Sequence, residues 1–287
     1  MKTFLVAGVL AVSTALLAGF SPNPQVGRGG PVSLKLNFKP GSKFSYTSQT
    51  VQNIAMQGNS MMQDVSMGTT FVVLSRQGNS QDLRMTYNRA AMKMDAGGQK
   101  MTYDSQDPAT KSSPMAGMMG GMVGQSLVIT VTSQGEVTAV KGVEEFKKSV
   151  LASNPNPALN QQLEQSLSES TLKSAMSQLF NIYPDHAVKP GESWVKNTSL
   201  NMGPAAMQLT STYTLGSVQN GVAHVQVNGK LAVEGMATLT GTQSGTMDVD
   251  VATGLILGSN YHQTLTSPTD DSPMNISSDV TTTGQKL

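Results

Sequence analysis

Cysteine is absent from all 287 residues, which excludes disulfides, thiolate metal sites, iron–sulfur clusters and thiol nucleophiles together. Charge is scarce as well. Charged residues make up 13% of the chain, and 19 basic against 18 acidic side chains leave a formal net charge of +1. With no basic block, the chain lacks the electrostatic footprint of a nucleic-acid or anionic-membrane binder. Aromatics amount to 5%, with one tryptophan, and the three histidines lie far apart. What is abundant is 32 Ser, 28 Thr, 28 Gly and 19 Met. Low charge with many hydroxyls and glycines fits a secreted, mainly β chain, long enough to bury a sizeable core.

The first residues read as an export signal. Lys2 is followed by an apolar run from Phe4 to Phe20, interrupted only by Ser13 and Thr14, and Ser21-Pro22-Asn23-Pro24 ends any helix. At about 17 residues the run is short of the ~20 that span a bilayer, so residues 1–20 are expected to be a cleaved signal peptide. Leu17-Ala18-Gly19 resembles the start of a lipoprotein box, but Phe20 stands where lipidation needs a thiol. The mature chain is therefore expected in the periplasm or outside the cell, not membrane-spanning after cleavage. Residues 21–32, rich in Pro and Gly, read as a flexible leader.

From Ser33 to the end the pattern predicts a single antiparallel β domain. Leu34, Leu36 and Phe38 alternate with polar residues as a strand, and Lys39-Pro40-Gly41-Ser42 turns into Phe44 and Tyr46. Further strands are predicted at about 65–75, 82–95 and 99–104. A phase shift at Ala90-Ala91 suggests a bulge. The second half alternates over longer stretches, at 205–217, 222–233, 236–250, 255–266 and from Met274 to Val280. Between the halves, a helical insert at about 142–182 carries Val143, Phe146 and Val150. It continues with Leu159, Leu163, Leu167, Leu172, Met176, Leu179 and Phe180 at helical spacing, with Ser168 or Ser170 able to cap a break. The hexamer from Lys39 to Phe44 returns as Lys189-Pro190-Gly191-Glu192-Ser193-Trp194, a hint of duplication. The expected class is mainly β (α+β): a large curved sheet or half-barrel with the insert packed in its concavity.

The Lys39–Tyr46 opening, Met101-Thr102-Tyr103-Asp104-Ser105, the stretch from Tyr183 to Trp194 and the Asp250–Leu255 turn resemble an uncharacterised, domain-of-unknown-function family of exported bacterial proteins. In outline that family is similar to the half-barrel of LolA/LolB-type lipoprotein carriers. The resemblance implies a carrier or sensor of something apolar and brings no catalytic residue with it.

The chemical constellations are sparse. Gly-x-Ser-x-Gly and His-Glu-x-x-His are missing, and His186, His224 and His262 read as surface or turn residues. Asp248 and Asp250 share a strand face, but two carboxylates without further oxygens fall short of a calcium site. Met115, Met118, Met119 and Met122 among glycines suit Cu(I) by softness. Without His or Cys beside them, they read better as an exposed, soft apolar lip. No cofactor is called for. The candidate ligand face is Met207, Leu209, Tyr213 and Leu215 on one strand. Ala223, Val225, Val227, Leu231 and Val233 stand on its hairpin partner across Asn220-Gly221. A lipid or other apolar ligand is the expected occupant. The competing reading is a structural or protein-interaction module of the cell envelope whose apolar face is filled by its own helices.

Overall fold

Period-two alternation builds twelve strands, because each strand must bury one face while leaving the other in water. They are β1 (Lys43–Met56), β2 (Asn59–Gln77), β3 (Ser80–Ala96), β4 (Gln99–Asp104), β5 (Ser126–Thr132), β6 (Val137–Lys141), β7 (Ser193–Asn201), β8 (Ala206–Gln219), β9 (Val222–Glu234), β10 (Leu239–Asp250), β11 (Ile256–Thr266) and β12 (Met274–Lys286). The computed structural model describes residues 30–56, 58–154, 157–201, 205–235, 238–267 and 273–287. The expected signal peptide and most of the leader lie outside these. Within the described leader, Val32 pairs with Val188 through two backbone hydrogen bonds of 2.9 Å.

One antiparallel sheet runs β6-β5-β3-β2-β1-β12-β11-β10-β9-β8-β7, with β4 paired to β3. The turns follow from residues that tolerate positive φ. Asn220 and Gly221 stand at 51° and 78°, as a two-residue type I′ hairpin requires. Tight coiling of the sheet depends on glycine. A Cβ on Gly241 would come within 1.7 Å of the Thr264 carbonyl oxygen, and one on Gly245 within 1.9 Å of that of Asn260.

The end strands β6 and β7 do not pair with each other. Three helices follow β6: α1 (Val143–Ser153), α2 (Pro157–Ser166) and α3 (Glu169–Phe180). Helix α3 packs against both β6 and β7 and closes the gap in the half-barrel. Ser168 caps it, its Oγ accepting from the Thr171 N–H at 3.2 Å. Leu172, Met176 and Phe180, four residues apart, are buried. Leu179 lies off that stripe and is 40% exposed, contrary to the sequence expectation that it faces the sheet. Backbone contact at the C-terminal end of α3 is close: a Cβ on Gly135, in the β5–β6 turn at φ 85°, would stand 1.7 Å from the Phe180 carbonyl oxygen.

The repeated hexamers adopt one conformation. Gly41 and Gly191 have φ of 84° and 88°. Their N–H groups donate to Val73 and Leu215, which donate back to Ser42 and Glu192. The residue closing each hexamer stacks on its cross-strand partner, Phe44 on Phe71 at 5.0 Å and Trp194 on Tyr213 at 5.5 Å. Two meanders with the same opening thus meet where β1 pairs with β12.

Four local expectations need correction. Leu34, Leu36 and Phe38 are buried on an extended segment that is not a sheet strand. Its backbone instead bonds three turns and hairpin ends, at Ser133, Thr253 and the Gln81 side chain. The bulge in β3 falls at Asn88, because Gly68 pairs with Arg89 and Thr69 with Tyr87. Strands β5 and β6 escaped the sequence reading, although Leu127, Ile129 and Val131 alternate. The methionine-rich segment is no exposed lip. Met115 and Met119 are buried against Val65, Ala90, Met92 and Tyr103, because two short helical turns press this loop under α1. There the Ser149 Oγ donates to the Gly121 carbonyl at 3.0 Å.

Candidate functional site

The β8–β9 register brings the two candidate rows side by side. Met207 stands opposite Val233, Leu209 opposite Leu231, Tyr213 opposite Val227 and Leu215 opposite Val225, while Ala223 faces Val218 across a bulge. All nine candidate residues are buried. They belong to two separate apolar clusters. Tyr213, Leu215, Ala223, Val225 and Val227 join the main core, which α1, α3 and the Leu34–Phe38 segment fill. Met207, Leu209, Leu231 and Val233 join a smaller cluster with Ile54, Met61, Leu200, Leu239, Leu265 and Ile276 at the other end of the sheet. Among the described helical residues, Ala175 alone touches that second cluster.

A polar rung separates the two. Cross-strand register aligns Gln63 (β2), Gln52 (β1), Ser278 (β12), Gln263 (β11), Gln243 (β10), Gly229 (β9) and Ser211 (β8). Directly opposed residues share a face, so these side chains form one line across the concave side. Gln52, Gln63, Ser211, Gln243 and Ser278 are buried. Gln52 Nε2 donates to Ser278 Oγ at 3.0 Å, and Gln263 Nε2 to Gln243 Oε1 at 2.7 Å. Among the described residues, buried side-chain atoms without a hydrogen-bond partner are Gln52 Oε1, Gln63 Oε1, Thr50 Oγ1 on the next inward position of β1, and Gln178 Nε2 on α3, while the Ser211 hydroxyl pairs with Tyr213. Each such atom costs roughly 1–3 kcal/mol if nothing satisfies it. The rung ends on β7 at Lys196, opposite Ser211, whose ammonium bonds Asp185 at 2.7 Å.

Sequence reading missed the rung as a unit. Ser211 and Ser278 were legible as polar residues on otherwise apolar strand faces. Their alignment with Gln52, Gln63, Gln243 and Gln263 depends on pairings distant in sequence.

Above the rung, a trough of about 550 Å³ crosses five strands. Ile54, Met61, Leu265 and Ile276 line it together with the Gly97-Gly98 turn. Each of these four has a rung residue two positions deeper on its strand: Gln52, Gln63, Gln263 and Ser278. Two residues of strand are roughly 7 Å. The rung thus lies deeper than the trough, behind its apolar lining, and does not itself line it.

The remaining candidates give simpler chemistry. His224 Nδ1 bonds Asp248 at 2.7 Å, His262 Nδ1 bonds Asp279 at 2.7 Å, and His186 Nε2 bonds Glu192 at 3.0 Å. The first two are partly exposed cross-strand pairs on the convex face. Asp250 accepts from the Thr253 N–H at 2.8 Å and holds the β10–β11 turn. Among the described residues, no three His, Cys, Asp or Glu converge for a metal ion, and no helix is long and apolar enough to cross a membrane. The convex face of β8 and β9 carries Gln208, Thr210, Thr212, His224, Gln226 and Asn228, the opposite of a lipid-facing barrel wall.

No curated protein matches this chain. Among solved structures it is similar to lipovitellin, from work on lipid–protein interactions in that protein, at TM-score 0.46 and 9% identity over 87% of this chain. The chain spans 25% of that lipovitellin chain. It is also similar to the translocator domain of the autotransporter NalP from Neisseria meningitidis (TM-score 0.27, 9% identity, 87% of this chain and 90% of that one). OccK5 (OpdH) of Pseudomonas aeruginosa is similar at TM-score 0.25 and 7% identity, over 86% of this chain and 98% of that one. Likenesses this distant say nothing about a ligand. The model of a family of unknown function, DUF6263, matches residues 78–256, more than half of the chain, and the protein belongs to that family.

Proposed function

We propose that this protein is exported and holds an acyl chain, chemically unchanged, in the open end of its half-barrel. The observation that carries this reading is the difference in filling along the concave face. At one end helices and the Leu34–Phe38 segment cover the sheet. At the other, apolar Ile54, Met61, Leu265 and Ile276 line a trough whose volume falls in the ~300–1,000 Å³ range of small-molecule sites. The test is uptake of a fluorescent fatty-acid analogue by delipidated, folded protein. Saturable uptake is expected, weakened by Ile276→Phe, which fills the trough. Folded protein that takes up none at micromolar concentration refutes the reading.

The packed end supports the competing reading, an envelope module that needs no ligand, because its half of the candidate strip is covered by the chain itself. Mass spectrometry of protein purified natively from its envelope separates the two, since only a carrier retains a lipid. The same sample tests export: the mature chain is expected to start between residues 19 and 27 and to take no label from radioactive fatty acid.

A further inference from the structure

Among the described residues, seven methionines meet in one apolar cluster on the concave face. Met67, Met92, Met94 and Met101 come from β2, β3 and β4, and Met115, Met119 and Met122 from the loop beneath α1. We propose that this cluster binds a soft monovalent cation, Cu(I) or Ag(I), through its thioether sulfurs and the side-chain carbonyl oxygen of Gln63. The proposal is independent of the acyl-binding reading.

Strand register gathers the donors. Gln63 on β2 stands opposite Met94 on β3, and Met94 opposite Met101 on β4. Directly opposed residues share a face, with Cβ atoms about 4.5–5.5 Å apart. Met92 is two positions along the same face of β3 and pairs with Tyr103. The loop closes over them with Met115 and Met119, four residues apart on one helical turn whose Met119 N–H donates to the Met115 carbonyl at 3.1 Å.

An apolar filling role accounts for the thioethers but not for the oxygen beside them. Gln63 is fully buried, its Nε2 donates to Met61 Sδ at 3.7 Å, and its Oε1 has no hydrogen-bond partner. Thr50 Oγ1, also unpartnered, lies on the next rung, which runs through Val65 to Met92. A buried acceptor without a donor is satisfied by a cation. A single ion needs no open pocket to arrive. Met67, Met94, Met101 and Met122 are half-buried at the rim, and flexible thioether side chains can pass an ion inward.

The donor set selects the ion. The cluster holds no carboxylate, imidazole or thiolate, and alternation puts Lys93, Asp95, Lys100 and Asp104 on the opposite face of β3 and β4. A divalent ion would bring two charges into neutral, apolar surroundings without an anion to offset them. Calcium and magnesium also require oxygen ligands. Thioethers suit Cu(I) and its redox-stable stand-in Ag(I).

The test titrates folded, full-length protein with Ag(I) in chloride-free buffer, read by calorimetry and by the NMR signals of methyl-labelled methionine. One equivalent is expected to bind. The methyl signals of the cluster should shift, while those of Met207 and Met247, outside it, stay in place. Leucine for methionine conserves volume and removes the sulfur. Met94→Leu with Met101→Leu, and separately Met115→Leu with Met119→Leu, should each weaken Ag(I) binding at least about tenfold, the factor that about 1.4 kcal/mol of lost coordination gives. Gln63→Leu should weaken it less, and the control Met207→Leu not at all. Cu(I), competed against bicinchoninate under ascorbate, should rank the variants in the same order. Should one double variant fail to fold, the other carries the comparison. Folded parent that binds neither ion overturns the proposal. So does parent-like affinity in both double variants, or shifts spread over all the methionines, which would mark adventitious surface binding only. None of these outcomes bears on fatty-acid uptake.

Discussion

The two ends of the concave face are built from the same strands and the same alternation, yet they are finished differently. At the packed end an aromatic chain runs from Phe38 through Phe44 and Phe71 to Phe180, with ring centroids 4.6, 5.0 and 6.1 Å apart. Tyr183 donates to the Gly254 carbonyl at 2.6 Å, and Trp194 to that of Ile182 at 2.8 Å. At the other end the described cluster is made of aliphatic side chains and methionines with no aromatic ring among its members, and the polar rung beneath it keeps orphan atoms. The contrast separates an end closed by the chain's own helices from an end that those helices leave open.

Alkaline titration should break the packed end most completely. Burial raises the pKa of all six tyrosines, to about 12 for Tyr87 and Tyr213. Five of them, Tyr46, Tyr87, Tyr183, Tyr213 and Tyr261, lie in or against the main core. A raised folded-state value means that their contribution is intact below the unfolded value near 10 and is lost as the pH climbs toward 12. Tyrosinate absorbance and far-UV circular dichroism should therefore change together in one cooperative step. Independent titration near pH 10 in folded protein would contradict the assignment.

Core truncation there comes next. Phe146→Ala and Phe180→Ala should each cost roughly 3–5 kcal/mol in denaturant unfolding. At the open end Leu265→Ala should cost about 2 kcal/mol, because the trough already provides space into which neighbours relax. Equal losses at both ends would erase the comparison. Gln63→Met should leave stability unchanged or raise it by about 1 kcal/mol, since it removes an unsatisfied acceptor while keeping volume. The smallest effect is expected at the exposed side of α3, where Leu179→Ala should stay within about 0.5 kcal/mol of the parent.

Much of this was legible in the chain. Alternation from Met207 to Leu215 and from Ala223 to Val233 specified two strands, and Asn220-Gly221 their hairpin, because strand period and positive φ are local properties. The insert and its break at Ser168 were legible for the same reason. The matching Pro-Gly hexamers marked two meanders, and their turns prove alike to the hydrogen bond. Leu34, Leu36 and Phe38 misled because alternation reports which side chains are buried, not whether the backbone pairs in a sheet. The methionine segment misled because glycine spacing suggests exposure, whereas burial there comes from α1 packing over it.

By itself, then, the sequence determined the curved sheet, its turns and its helical insert, through periodicities each segment carries alone. Only the tertiary structure decided that α3 closes the gap between β6 and β7, that half of the candidate strip is core, and that four glutamines and two serines align into one rung. Those outcomes depend on register between strands up to 226 residues apart, as Gln52 and Ser278 are. Register is set by the whole sheet at once, because no single strand encodes which partner residue it will face.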